Sequence, residues 1–447
     1  MKGVNLRHKK FGGAVVQQIF SDRNPIHLEV DLTDIKLEKQ VFPISDFIDP
    51  STGRTPVVPV QSEPNPLPKT RETPVHPAPW HKARAAIAAL RLGQCPHGYL
   101  EHLTVGMNDV MDEIDWALNR SRQGMLTALI FRSEYGKGKT HALTALAHRA
   151  GSRGCLCSKV VLDGYFITLT RPMELLGEVV ARAMVPADQQ EEPRTLCETL
   201  RDRCKNINLQ IAGARLLHEA LQQITPEMVM NPDIWEVFED YLECAIAASP
   251  ASRVIRDLYE DRSAIRLPAI NVRTRAERPE QCAAMLREWS RAAKPLGAAG
   301  GLAVLFDEAD VDYALNPSWT AEESRHELFR ALAELGSEPG CPLLLGFAVT
   351  PGSDGDDPAE EIVGFLGSGA CRVVDLSELS KHDFLALAKK IEAVYAAAYP
   401  NEKFHESKIE RAADAIADEL SDSPEGLVPR HYIRRFVDHL DVNSVQR

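Results

Sequence analysis

The sequence has no run approaching the ~20 uninterrupted apolar residues that a membrane helix needs, so no membrane-spanning segment is expected. Charges from Lys2 to Lys10 are followed by no apolar stretch, so a signal peptide is not expected and a cytoplasmic location is. Basic residues are not in excess. The formal net charge of −13 argues against a surface coated for nucleic acid, while leaving room for a local basic patch. Cysteines number nine, an odd count, and they are scattered. Cys155 and Cys157 stand one residue apart, a spacing that matches no common zinc or redox pattern. They are expected to be reduced thiols, many buried as small hydrophobes. No internal repeat is visible, which argues against a signalling NTPase built on a long repeat array.

What is present is a chain of 447 residues, 44% hydrophobic and 26% charged, enough for two or three domains with substantial cores. Residues 1–50 carry short apolar clusters punctuated by Gly12-Gly13 and Asp22-Arg23-Asn24-Pro25. The alternation Ile26-His27-Leu28-Glu29-Val30 has the period of a half-buried strand, and a small β-barrel or meander is expected. Prolines crowd residues 51–80, at Pro56, Pro59, Pro64, Pro66, Pro68, Pro74, Pro77 and Pro79. They block helices and ladder donors, which predicts an extended linker.

From residue 81 the pattern alternates. Helical segments at Ala83–Leu92, Met107–Leu118 and His141–Ala150 are interleaved with strands at Leu126–Phe131, Lys159–Asp163, Leu302–Phe306, Pro342–Val349 and Arg372–Leu376. This predicts an α/β domain over 81–376 with a mostly parallel sheet. The stretch at about 185–295 is too long for a crossover and reads as a helical insertion. Residues 377–447 read as a helical C-terminal lid domain, with Phe384, Leu385, Leu387, Ile391, Val394 and Tyr395 mostly on one face.

The chemistry centres on Ser133-Glu134-Tyr135-Gly136-Lys137-Gly138-Lys139-Thr140-His141. Gly138-Lys139-Thr140 closes the pattern G-x-x-x-x-G-K-[ST], with Ser133 where the first glycine stands. A phosphate needs inward-facing backbone N–H groups and the positive end of a helix that begins at once. Here an apolar strand precedes the loop and a helical pattern follows it. Lys139 would reach the β- and γ-phosphates of ATP, and the Thr140 hydroxyl would ligate Mg²⁺. The tripeptide alone is weak, but Leu302-Ala303-Val304-Leu305-Phe306-Asp307-Glu308 strengthens it. Asp307, at a strand tip, would serve the Mg²⁺ shell, and Glu308 would polarise the attacking water. An acidic first helical turn, stabilising in itself, is the plain alternative. Thr350, at the end of the next strand, stands where a γ-phosphate sensor would be, although a strand ending in Thr-Pro is also simply a strand stop. Arg430, in a first helical turn after Pro429, could reach back to the phosphates or belong to a solvated basic face. Arg372 could act in trans as an arginine finger.

These residues, together with Ala89-Leu90-Arg91-Leu92-Gly93, Leu103-Thr104-Val105-Gly106, Val161-Leu162-Asp163-Gly164-Tyr165 and Pro429-Arg430, resemble the BrxD-like ATP-binding proteins of BREX phage-defence systems. The resemblance covers most of the chain after Trp80. It implies an AAA+-like P-loop NTPase, related to origin-recognition ATPases, that acts with other defence-system proteins on double-stranded DNA. It departs at Ser133, where that family's loop begins with glycine, which bears on the hydrolysis rate more than on binding. The opening Leu6-Arg7-His8-Lys9-Lys10-Phe11-Gly12-Gly13 resembles the Tudor/SH3-like barrels appended to UvrD-type helicases. There Arg7, Lys9, Lys10 and Arg23 would suit a phosphate backbone or an acidic partner, or would simply solubilise a strand edge.

The expectation is therefore an ATPase that binds ATP at an interface in a homo-oligomer and hydrolyses it. The alternative is a nucleotide-held scaffold or loader with negligible turnover, which recruits other defence proteins.

Overall fold

The computed structural model describes five strands within residues 5–48, and residues 79–445 apart from 95, 187–192, 205–213, 260–264, 271–276, 337–339, 353–356, 401–404 and 424–425. Two units emerge, Met1–His76 and Pro77–Arg447. In the first, β1 (Asn5–His8), β2 (Gly12–Phe20), β3 (His27–Leu32), β4 (Leu37–Pro43) and β5 (Phe47–Ile48) pair antiparallel in the order β4-β3-β2-β1-β5. The register shifts between Val16 and Gln18 and between Val30 and Leu32. The turns of this sheet and the proline-rich segment 51–78, where the linker is expected, lie outside the described residues.

The second unit is built on a seven-stranded sheet. Its strands are β6 (Thr127–Arg132), β7 (Leu156–Val161), β8 (Met184–Val185), β9 (Arg194–Thr195), β10 (Leu302–Asp307), β11 (Leu343–Val349) and β12 (Cys371–Asp375), in the order β12-β6-β11-β10-β7-β8-β9. The first five in that order run parallel, and the two-residue β8 and β9 are antiparallel additions. Strands β10 and β11 are buried along their whole length, and β6 is buried except at Arg132. This is why they read as continuous apolar runs rather than alternating ones. The strand β7 ends at Val161, two residues before the expected end, because Asp163 leaves the ladder to form a turn.

Helices α1 (Pro79–Arg91), α2 (Leu100–Leu103), α3 (Asn108–Arg122) and α4 (Lys139–Ser152) come first. One face of the sheet packs Leu129, Phe131, Ala303, Leu305 and Leu344 against Ile114 and Leu118 of α3 and Leu143 and Leu146 of α4. On the other face Ile130, Val160, Val304, Phe306 and Phe347 meet a larger helical layer. That layer holds α5 (Pro172–Ala181) and the inserted helices α6 to α11 (Leu196–Cys204, Arg215–Gln222, Pro226–Met230, Pro232–Leu242, Ala248–Tyr259 and Arg278–Ala292). With them are α12 (Ala309–Leu315), α13 (Trp319–Gly336) and α14 (Pro358–Leu366). Each large side chain removed from water here contributes roughly 1.5–3 kcal/mol.

The tail forms α15 (Lys381–Ala398), α16 (Glu406–Ser421) and α17 (Pro429–Val445). A capping box between Ser380 and Asp383 starts α15. Phe384, Leu387, Ile391, Val394 and Tyr395 are buried as the helical period predicts, and Leu385 is only partly covered. Helix α1 is part of this core, placing Ala83, Ala86, Ile87 and Leu90 among the tail helices. Arg91 forks onto both carboxylate oxygens of Asp441 in α17, at 2.8 and 2.7 Å. The α/β architecture read from the sequence is thus present, with a mostly parallel sheet and a helical tail.

Among the described residues every cysteine is free and no helix is long and apolar enough to cross a membrane. Burial pushes the Cys155 thiol up to about 11 and Cys157 to about 12, so neither is a thiolate at neutral pH.

Candidate nucleotide-binding site

All five parallel strands end at the same edge of the sheet, the place where an open α/β sheet presents its loops to ligands. At this edge β6 leads into the loop 133–138, β11 into Thr350 and β10 into Asp307, with β11 between the other two.

The loop turns at two glycines in the left-handed region, Gly136 (φ 81°) and Gly138 (φ 99°), the second capping α4. A side chain at either position would be strained. Ser133 is not among the residues with positive φ, so its backbone does not require the glycine of the motif. It is buried, and its carbonyl oxygen accepts from Lys139.

Lys139 folds back over the loop. Its Nζ donates to the carbonyl oxygens of Ser133 (2.8 Å) and Glu134 (3.2 Å) and to Thr350 Oγ1 (2.8 Å). Burial pushes its ammonium below the usual lysine range, against the pull of the carboxylates of Asp310, Glu134, Asp307 and Glu308. Beside it Thr140 Oγ1 donates to Asp307 Oδ1 at 3.1 Å. Asp307 is 5% exposed, and its Oδ2 accepts from Lys159 at 3.1 Å. Glu308 is exposed and starts α12 in the left-handed region, with φ 57° and ψ 38°. A non-glycine residue pays roughly 1–2 kcal/mol for that conformation, strain of the kind that collects at functional sites.

The tail reaches the loop. Arg430 Nη1 donates to the Tyr135 hydroxyl at 2.9 Å, and Lys137 pairs with Glu378 at 2.7 Å. Gly93 (φ 69°) leaves the room this needs, since a Cβ there would stand 2.8 Å from Arg430 Cγ. His141 Nε2 lies 3.0 Å from Thr104 Oγ1, whose own proton goes to the Leu100 carbonyl, and Lys390 of α15 holds the Thr104 carbonyl at 2.7 Å. Burial pushes the His141 imidazole down to about 4. A histidine so lowered stays neutral in the folded chain while its unfolded counterpart takes up a proton below about 6.5. Stability is therefore expected to fall by up to ~3 kcal/mol as pH drops from 6.5 to 4. In His141→Gln this part of the pH dependence should be gone, as denaturant midpoints measured across that range will show.

The structure thus gathers Ser133, Tyr135, Gly136, Lys137, Gly138, Lys139, Thr140, Asp307, Thr350 and Arg430 around one loop, with Glu308 directly after Asp307 and His141 directly behind it. Arg372 is not brought there. It lies mid-strand on β12, opposite Leu129, with its guanidinium 4.0 Å over the Trp116 ring and paired with Glu113. Its charge is engaged by Glu113 and Trp116 of α3 in its own chain. Two residues not singled out from the sequence also belong to the site. Lys159 and Thr144 complete the ring around Asp307. A lysine inside an apolar strand, Ser158-Lys159-Val160-Val161, was the signal available for the first. Arg132, at the end of β6, ties the edge together through Asp357 and both oxygens of Asp375.

No curated protein matches the chain in sequence. Among solved structures, a chain of the Drosophila ORC bound to poly(dA/dT) DNA and Cdc6 is similar at 12% identity and a TM-score of 0.34. The alignment covers 88% of this chain and 46% of that one, so this chain spans about half of its length. The family model described as BREX system ATP-binding protein BrxC/D matches residues 79–185 and 367–446. The first segment holds α1 and the loop 133–138, the second the tail that packs on both. Through these two segments, a little under half of its length, the chain matches the BrxC/D family of BREX system ATP-binding proteins.

Proposed function

We propose that this chain is an AAA+-like ATPase that binds ATP with Mg²⁺ and works with other proteins on double-stranded DNA in phage defence. The observation that supports it most is the convergence, at one edge of a parallel sheet, of Lys139 on Thr350 and of Thr140 on Asp307. The residues suit the ligands. Thr140 and Asp307 offer hard oxygen donors 3.1 Å apart at the mouth of a loop whose amides precede a helix. A bound magnesium would neutralise charge on the β- and γ-phosphates.

Each residue then has a task. Lys139 exchanges the Ser133 and Glu134 carbonyl oxygens for phosphate oxygens. Thr350, already on Lys139, holds its hydroxyl at the γ end. The Glu308 carboxylate accepts the proton of the attacking water. Arg430 leaves Tyr135 for the phosphates and so reports occupancy to the tail. The BREX family match supports the defence role. The basic residues Arg7, Lys9, Lys10 and Arg23 support a phosphate-backbone partner.

The test is ATP turnover by the purified chain with and without double-stranded DNA, beside Lys139→Ala. Turnover that DNA stimulates and that falls at least tenfold in Lys139→Ala is the expected result. Tight ATP binding without turnover would replace the enzyme by a nucleotide-held scaffold, and absence of ATP binding would overturn the reading.

A further inference from the structure

Lys159 sits in β7 opposite Leu305 of β10, in a strand that is otherwise short on charge. An ammonium beneath a helix is costly unless it is matched. Its Nζ is held at two points, by Asp307 Oδ2 and by Thr144 Oγ1, each at 3.1 Å. Thr144 is buried on α4, one turn after Thr140, and its own proton goes to the Thr140 carbonyl at 2.6 Å. Thr140 Oγ1 in turn donates to Asp307 Oδ1. The four residues close a ring from Thr140 to Asp307, Lys159, Thr144 and back to Thr140. Both oxygens of the buried carboxylate are engaged in it, with the Glu308 amide 3.2 Å from Oδ1.

We propose that Lys159 is a counter-ion built into the metal site: it balances Asp307 when no cation is bound, and by occupying Oδ2 it sets the concentration at which Mg²⁺ binds. The proposal rests on the reading of Thr140 and Asp307 as the metal side of a nucleotide site. The two oxygens divide the work. Oδ1 faces the Thr140 hydroxyl and the loop, and Oδ2 faces the ammonium. A carboxylate with 7% of its side chain exposed would otherwise stand unmatched whenever the site is empty, which is strongly destabilising. The same ammonium repels an arriving divalent cation, an interaction weakly screened at a buried site. Lys159 thereby keeps the empty site folded at the expense of metal affinity, and makes it a positioning residue rather than a catalytic one.

Two measurements on the full chain test this. Melting temperatures in EDTA are compared for wild type, Lys159→Met, Asp307→Asn and the double variant. Lys159→Met is expected to melt several degrees lower, and to cost much less in the Asp307→Asn background. Equal cost in both backgrounds would overturn the counter-ion. The second readout is the Mg²⁺ concentration giving half-maximal binding of a fluorescent ATP analogue. It should fall at least tenfold in Lys159→Met and also in Lys159→Gln, which keeps a neutral donor and guards against a variant that does not fold. A change within twofold would overturn the effect on metal. If wild type binds no ATP analogue, the nucleotide reading fails, and the melting cycle, repeated with Mg²⁺ alone, still decides the counter-ion.

Discussion

Glu308→Gln is expected to slow ATP turnover by about 10²–10⁴-fold while leaving ATP affinity within a factor of two. The side chain is exposed and follows Asp307, the residue proposed for the metal side of the site, so the substitution removes the proposed proton acceptor without disturbing the loop. Glutamine keeps the shape and the left-handed backbone at φ 57°, so the strain is unchanged and melting in the absence of nucleotide should stay within about a degree. Single-turnover hydrolysis alongside equilibrium binding of a fluorescent ATP analogue separates the two effects. Turnover at the wild-type rate would remove Glu308 as the base. Attention would then pass to Asp310, whose charge also acts on Lys139.

Arg325→Met should destabilise the chain by about 3–5 kcal/mol, the range for leaving a buried charge without its partner. Arg325 is 4% exposed and Asp312 is fully buried. The guanidinium donates to the Asn316 carbonyl at 3.1 Å, stands 3.8 Å from Asp312 and 3.9 Å from Glu361, and lies 4.3 Å over the Tyr313 ring. Burial raises the Asp312 carboxyl above its usual range, opposed by the Thr168 hydroxyl and by Arg325. Without Arg325 the folded form would favour protonated Asp312 more strongly. A carboxyl raised on folding adds stability at low pH and loses it as pH rises, so the cost of Arg325→Met should shrink as pH falls from 7 toward 5. Asp312→Asn in the same chain should recover most of the loss. Urea midpoints at both pH values check this, and equal losses at both would remove Asp312 from the account. The consequence reaches the site because α12, which carries Asp312 and Tyr313, begins directly after Glu308.

The legible features of this protein were local ones. A loop that binds phosphate needs its glycines, lysine and threonine at adjacent positions, so Gly138-Lys139-Thr140 could be read without a partner. The apolar runs at β6, β10 and β11 could be read because strands buried on both faces have no polar alternation. Asp307, Glu308 and Thr350 were placed by the same logic, as the first polar residues after such runs. Boundaries were less legible. The start of β7 at Leu156 is masked by the half-exposed Cys157 and Lys159, and two-residue strands such as β8 and β9 carry no period at all.

By itself, then, the sequence determined the class of fold, the glycine-lysine-threonine turn between a strand and a helix, and the acidic strand tip, because each depends on neighbours along the chain. Tertiary structure alone decided which distant groups complete them. It set α1 into the core of the tail 300 residues away, turned Arg372 onto Trp116, laid Arg430 against Tyr135 and brought Lys159 to Asp307. Those pairings are settled by sheet order and helix packing, and charges that meet across a fold leave no mark in the spacing of either segment.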